Sequence, residues 1–267
     1  MHNNVNDLFE GLWKNYLEVT PSAEKIHALL GSTQGNDIIN DHIALRTFNL
    51  PKVGLEKLAA HFIKLGYKQG GEYHFKEKKL YARHYEHEDP TLPKVFISEL
   101  LVEEFSNSLQ TIVKKMVDQV ADDATEQDNF LYSGTPWSVD YQTYLDLKKE
   151  SEYAAWMSAW GYCANHFTVS VNALSQFEQL EEVNNKLKHA GFELNTSGGE
   201  IKGSAEVLLE QSSTLADEVL AQFNDGQFRI PSCFYEFALR YPQADGKLYP
   251  GFVEASADKI FESTHGR

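Results

Sequence analysis

Two stretches of the chain repeat one pattern of apolar and polar positions. The first is Asp41-His42-Ile43-Ala44-Leu45-Arg46-Thr47-Phe48, the second Asn165-His166-Phe167-Thr168-Val169-Ser170-Val171-Asn172. Each alternates with period two and is rich in β-branched and aromatic residues, which predicts a strand. Each is followed by a helical pattern. In the first copy the apolar positions are Leu55, Leu58, Phe62 and Leu65; in the second they are Leu180, Val183, Leu187 and Ala190. A glycine closes each helix, Gly66 and Gly191, where a helix end favours a left-handed residue. The helical positions recur at an offset of 125 and the histidines at 124, so the connecting loop differs by one residue.

More strands are predicted after each copy: a hairpin over 72–86 and a strand over 94–102, then strands over 205–211 and 233–241. Helices are predicted over 5–18 and 22–30, with Pro21 suited to a helix start. Residues 104–120 and 141–160 read as helical, and 121–136 as a polar loop. The whole is an α+β chain in which a strand–helix–strands unit occurs twice, its two halves meeting at a cavity. It divides as one domain over residues 1–267: N-terminal helices 1–34, a first half 41–102, a helical insertion 103–161, a second half 165–242 and a C-terminal segment 243–267.

Composition narrows the function. The 267 residues are 42% hydrophobic, 12% aromatic and 24% charged, a profile that excludes intrinsic disorder, collagen and coiled-coil arrays. No apolar run approaches the ~18 residues of a membrane span, and residues 1–10 lack the basic and apolar regions of a signal peptide. Two cysteines, Cys163 and Cys233, make no disulfide framework, so a reducing cytoplasm is the expected compartment. A net charge of −15 argues against a nucleic-acid or anionic-membrane surface but leaves room for a small anion held by one arginine.

Strand parity locates candidate chemistry. One face carries His42, Ala44, Arg46 and Phe48 in the first copy, and His166, Thr168, Ser170 and Asn172 in the second. Neither carries the Lys and Glu of a solvent face, which suits a lined cavity. Glu236, in Phe234-Tyr235-Glu236-Phe237, is a carboxylate inside an aromatic strand, and such a group is rarely buried unless paired or metal-bound. Two histidines and a carboxylate with open positions form the facial triad of non-haem Fe(II) oxygenases, though Mn, Co or Zn accept the same donors. The alternatives are a salt bridge from Glu236 to Arg240, and Glu99 as a rival carboxylate. Thr168 and Ser170 are candidates to support the ligands, as are Glu99 and Arg240. His61, His74, His84, His87 and His189 read as surface residues. Cys163 and Cys233 lie three residues before His166 and Glu236; three-residue spacing on a strand points to opposite faces, so buried thiols are expected rather than a zinc site. Arg46 lies about 13 Å from His42 at ~3.3 Å per residue. Its guanidinium suits either a substrate carboxylate or an ion pair within the protein.

Several motifs together resemble a known family. They are His42-Ile43-Ala44-Leu45-Arg46-Thr47-Phe48, Glu210-Gln211-Ser212-Ser213-Thr214, Phe234-Tyr235-Glu236-Phe237-Ala238-Leu239-Arg240-Tyr241-Pro242, and Ser256-Ala257 with Ile260-Phe261-Glu262-Ser263. The chain, from about Asp41 to Ser263, resembles the 2-oxoadipate dioxygenase/decarboxylases, also called 2-hydroxyglutarate synthases. The resemblance implies a vicinal oxygen chelate-like fold, in which duplicated βαβββ modules cup a metal. It implies Fe(II) held by His42, His166 and Glu236, and Arg46 on the distal carboxylate of the substrate. It implies that the segment around Ala255 and Ser256 closes over the substrate, with Ala255 standing where the family pattern has valine. The reaction implied takes a 2-oxo dicarboxylate and O2 to a 2-hydroxy acid and CO2, the substrate chelating the metal through its keto and carboxylate oxygens beside His42 and His166. From the residues alone, a Zn- or Mn-dependent hydrolase or isomerase and a metal-free binding protein remain open.

Overall fold

The computed structural model describes residues 1–31 and 38–264. Residues 32–34 of the expected N-terminal helices, and 265–267 of the C-terminal segment, lie outside the described residues. The chain runs through α1 (Val5–Val19), α2 (Pro21–Leu30), β1 (Asn40–Phe48), α3 (Leu55–Lys64), β2 (Lys68–Phe75), β3 (Leu80–Glu86) and β4 (Lys94–Leu100). It continues through α4 (Asn107–Asp118), α5 (Tyr141–Lys148), α6 (Glu152–Trp160), β5 (Ala164–Ser170) and α7 (Leu180–His189). Then come β6 (Lys202–Ser204), β7 (Leu209–Ser213), β8 (Glu218–Phe223), β9 (Gly226–Pro231), β10 (Phe234–Arg240) and α8 (Glu254–Ile260).

The duplicated unit is visible in the sheet. Its eight strands lie in the order β2-β3-β4-β1-β5-β10-β7-β6, which reads the same outward from the centre, and they curl into a half-barrel. β1 and β5 pair antiparallel at the seam, with His42 opposite Thr168 and Ala44 opposite His166. β4 runs parallel beside β1 and β10 parallel beside β5. Each module is therefore strand–helix–three strands, β1-α3-β2-β3-β4 and β5-α7-β6-β7-β10. The second carries an extra hairpin, β8–β9, between its last two strands. Gly66 and Gly191 close α3 and α7 at φ +99° and +89°, the left-handed turns their positions require.

Parity sorts the side chains as the repeat predicts. Ile43, Leu45, Phe167 and Val169 are buried on the convex face, where Trp13 and Tyr16 of α1 pack on Phe167 with ring centroids 4.9 and 5.0 Å apart. The histidine face lines the concave side. α6 stands at the end of the cup where β1 outruns β5. Every residue from Tyr153 to Trp160 is buried, as fits a helix that is apolar on nearly every side, with Ser158 its one polar residue in that span. The helical pattern over 141–160 is in fact two helices, because the Ser151 side chain accepts from Ala154 N–H and starts a new one. The predicted strand over 205–211 begins later: 205–207 is a single 3-10 turn, and Leu208 at φ 63° redirects the chain into β7. Among the described residues no helix is long and apolar enough to cross a membrane.

Candidate metal centre

Each predicted histidine is held by the residue just before it. His42 Nδ1–H donates to Asp41 Oδ1 at 2.7 Å, and His166 Nδ1–H to Asn165 Oδ1 at 3.0 Å. That fixes both rings with the Nε2 lone pair turned into the cup. Glu236, from the middle of β10, meets them there: Oε1 is 3.5 Å from His42 Nε2 and Oε2 is 3.1 Å from His166 Nε2. Gln211 Nε2 donates to Glu236 Oε1 at 2.6 Å. The three donor atoms lie within 4.8 Å of one another, and all three residues are buried. Thr168 Oγ1 stands 3.1 Å from His42 Nε2, at the rim of this group.

The electrostatics suit a cation. Burial lowers the basicity of His166 against the pull of Glu236, which favours the form of the ring that offers a lone pair. For Glu236, burial alone would raise the pKa. The two histidines and the Gln211 bond outweigh it and hold the carboxyl below the usual range. Among the described residues Glu236 Oε2 has no hydrogen-bond partner, and a cation in the cup would satisfy it. Two imidazoles and a carboxylate are the donors expected for a divalent transition metal.

The symmetry shows why the donors stop at three. In the registers of the two modules, Thr168 pairs with Glu236 and Ala44 with Phe96. Phe96 is thus the counterpart of Glu236, and the first module supplies one donor where the second supplies two.

The three face a cavity of about 20 Å³, covered by Phe252, Ala257, Ile260 and Phe261 from the C-terminal segment. That volume admits roughly one water. The segment does cover the cup, but through other residues than expected. Ala255 lies on the exposed side of α8. Ser256 is buried beside Gly203, where an added Cβ would lie 3.2 Å from Ser256 Oγ.

Arg46 is buried in a box of rings, its guanidinium 4.9 Å from Tyr153, 4.8 Å from Trp156 and 5.6 Å from Phe261. Nη1 is 3.6 Å from Glu152 Oε2 and Nη2 donates to Thr264 Oγ1 at 3.4 Å, while among the described residues Nε and Nη1 make no hydrogen bond. Phe261 lines both the cavity and an outer groove of about 680 Å³ that carries Lys78, Lys79, Lys148 and Glu152.

Other candidates fall elsewhere. Glu99 is opposite Thr47 on the convex side, and its Oε2 accepts from Leu55 N–H at 2.8 Å, capping α3. Arg240 pairs with Asp41 and not with Glu236. Ser170, opposite Ala238 further along the sheet, makes no contact with the triad. His61 and His84, expected at the surface, are buried. His61 Nε2 reaches Thr125 O at 2.8 Å, and His84 bridges Tyr73 OH at 2.8 Å and Glu86 Oε1 at 3.0 Å. Cys163 and Cys233 are free, buried and outside the donor group. Asp41, Gln211 and Phe252 were given no role from the sequence, although Asp41 heads the first repeated strand and Gln211 lies in one of the family motifs.

Comparisons with known proteins agree with this geometry. The sequence profile of the 2-oxoadipate dioxygenase/decarboxylase family matches residues 3–244. A chloroplastic/amyloplastic 2-oxoadipate dioxygenase/decarboxylase from Oryza sativa is 37% identical over 94% of this chain and 76% of its own length. One from Arabidopsis thaliana is 34% identical over 93% and 74%. Among solved structures, the rice hydroxyglutarate synthase in complex with 2-oxoadipate has TM-score 0.88 and 35% identity, covering 97% of this chain and 91% of that one. A Shewanella frigidimarina protein, solved under a provisional hydrolase name, has TM-score 0.92 and 62% identity over 96% and 100%. A Ralstonia eutropha protein named for the glyoxalase superfamily shares the fold at TM-score 0.71 and 21% identity, over 92% and 84%. The chain belongs to the 2-oxoadipate dioxygenase/decarboxylase family.

Proposed function

We propose that the protein is a dioxygenase/decarboxylase that converts 2-oxoadipate and O2 to 2-hydroxyglutarate and CO2, with Fe(II) held by His42, His166 and Glu236. The reaction balances, one oxygen molecule entering as one carboxyl leaves. The observation that carries this reading is the convergence of two imidazoles and one carboxylate oxygen without a hydrogen bond among the described residues, in a buried cup whose symmetry-related fourth position is Phe96. Such a set leaves coordination positions open for a 2-oxo acid and for oxygen.

Bound Fe(II) supplies the one-electron chemistry that lets a closed-shell substrate react with O2. The protein's own part is positioning. Asp41 and Asn165 hold the two rings with Nε2 inward. Gln211 fixes one carboxylate oxygen and leaves the other turned to the cup. Arg46, whose Nε and Nη1 have no hydrogen bond among the described residues, is the cation for the distal carboxylate. Phe261, between the cavity and the lysine-bearing groove, is the side chain a diacid displaces on entry. Once closed, Phe252 and Phe261 keep bulk water from the reacting carbons.

The test is anaerobic loading with Fe(II), then 2-oxoadipate and air, with the product analysed by mass spectrometry. Formation of 2-hydroxyglutarate with equal O2 uptake is expected, and its loss in His42→Ala together with bound iron. Iron-loaded protein that consumes no 2-oxo acid, or turnover that persists without oxygen, contradicts the proposal.

A further inference from the structure

Arg240 lies on β10, the strand that bears Glu236, and its side chain is spent in two directions at once. Nε and Nη2 fork onto Asp41 at 2.7 and 2.9 Å. Nη1 donates to the carbonyls of Tyr249 and Gly251 at 2.8 and 2.7 Å. Its backbone is clamped as well: Arg240 N–H donates to Asn172 Oδ1 and its carbonyl accepts from Asn172 Nδ2, both at 2.9 Å. The guanidinium also lies 5.1 Å from the ring of Phe252.

Both directions end at the metal centre. Asp41 is the acceptor that sets the His42 ring. Phe252 follows directly on Gly251, lines the cavity, and meets His42 edge-on at 4.8 Å. We propose that Arg240 is a positioning residue that couples closure of the C-terminal cover to the orientation of His42. This rests on the reading of His42 as a metal ligand.

The physical logic is reciprocal. With the cover closed, the carbonyls of 249 and 251 fix Nη1, which leaves the Nε/Nη2 fork no freedom to leave Asp41, and Asp41 holds His42 ready. With the cover away, Nη1 loses both acceptors and the fork is free to swing. A ligand that fixes His42 must then favour the closed cover by the same factor by which the cover favours the ligand. Groups one step behind a ligating histidine change metal affinity by roughly 10–100-fold when removed, so a coupling factor of about tenfold is expected. The cover has a second tether, Phe252 N–H to Tyr73 OH at 3.1 Å, that does not pass through Asp41. It provides the control.

The test uses Mn(II), which binds the same donors, with two readouts: Mn(II) affinity, and amide hydrogen exchange over 249–252 with and without Mn(II). In the wild type, Mn(II) is expected to slow exchange there about tenfold. In Arg240→Met the affinity falls at least tenfold, and at saturating Mn(II) the exchange no longer responds. Arg240→Lys, which keeps the charge without the fork, and Asp41→Asn lose the response likewise, so the test stands if the Met variant fails to fold. Tyr73→Phe exchanges faster in both states but keeps the Mn(II)-dependent ratio. A wild-type cover indifferent to bound Mn(II), or an equal ratio in wild type and the Arg240 variants, overturns the coupling alone. Failure of the wild type to bind Mn(II) overturns the ligand reading beneath it as well.

Discussion

Lys202 offers a quantitative test of how the cup handles charge. It lies on β6 opposite Gln211 and is 3% exposed, its ammonium donating to the Asn195 and Glu200 carbonyls. Burial pulls its pKa from 10.5 down to about 8, against the opposing pull of Glu236, Glu200 and Glu262. A folded chain that releases this proton near pH 8, against 10.5 unfolded, holds fewer protons than the unfolded chain across that window. Stability therefore rises with pH from about 8 to 10.5, and the penalty is fully present below 8. At 1.36 kcal/mol per pKa unit it amounts to roughly 3 kcal/mol at pH 7 and roughly 1 kcal/mol at pH 9.5. Lys202→Met removes the charge but strands the Asn195 carbonyl, at a cost of about 1 kcal/mol. The variant should be about 2 kcal/mol more stable than wild type at pH 7 and nearly equal to it at pH 9.5. Urea unfolding of the metal-free proteins at the two pH values measures this, with m unchanged as the check on two-state behaviour. A stability difference that does not change with pH, or a Met variant less stable at pH 7, refutes the reasoning.

Arg46→Met should raise KM for 2-oxoadipate about 10–100-fold, as expected for a lost charge-assisted pair, and leave a 2-oxo monoacid little affected; steady-state kinetics with both substrates would expose an unchanged preference. Phe96→Glu places a carboxylate at the counterpart of Glu236, so Mn(II) should bind at least tenfold tighter while turnover collapses; full activity would show that open positions are not what the triad provides. Glu99→Ala should cost about 1 kcal/mol in thermal or urea unfolding through the lost α3 cap with metal affinity unchanged; a loss of affinity would return Glu99 to the site.

The duplicated strand–helix pattern was legible because periodicity and the paired glycines repeat over short, local stretches. The seam was legible too, since parity alone places both histidines on the less apolar face. Glu99 and Glu236 were harder to separate. In β4 both faces are apolar, Val95 and Ile97 on one and Phe96 and Leu100 on the other, so composition gives no inward direction; only pairing with Thr47 shows that Glu99 turns outward. The β8–β9 hairpin carries a two-residue Asn224-Asp225 turn before Gly226, a hairpin signal masked by strands whose outer positions are polar. His61 is three residues from Leu58 on the packed face of α3, and that spacing already marked it as buried. The link from Arg240 to Asp41 spans 199 residues. No local pattern encodes such a contact, because only closure of the sheet across both modules brings the two together.

The most direct test of the catalytic reading is the fate of the oxygen atoms. Fe(II)-loaded protein given 2-oxoadipate under labelled dioxygen should yield 2-hydroxyglutarate carrying one labelled atom in its new hydroxyl and one in the carboxylate formed as CO2 departs. A product whose new oxygen atoms come from water contradicts a dioxygenase built on His42, His166 and Glu236.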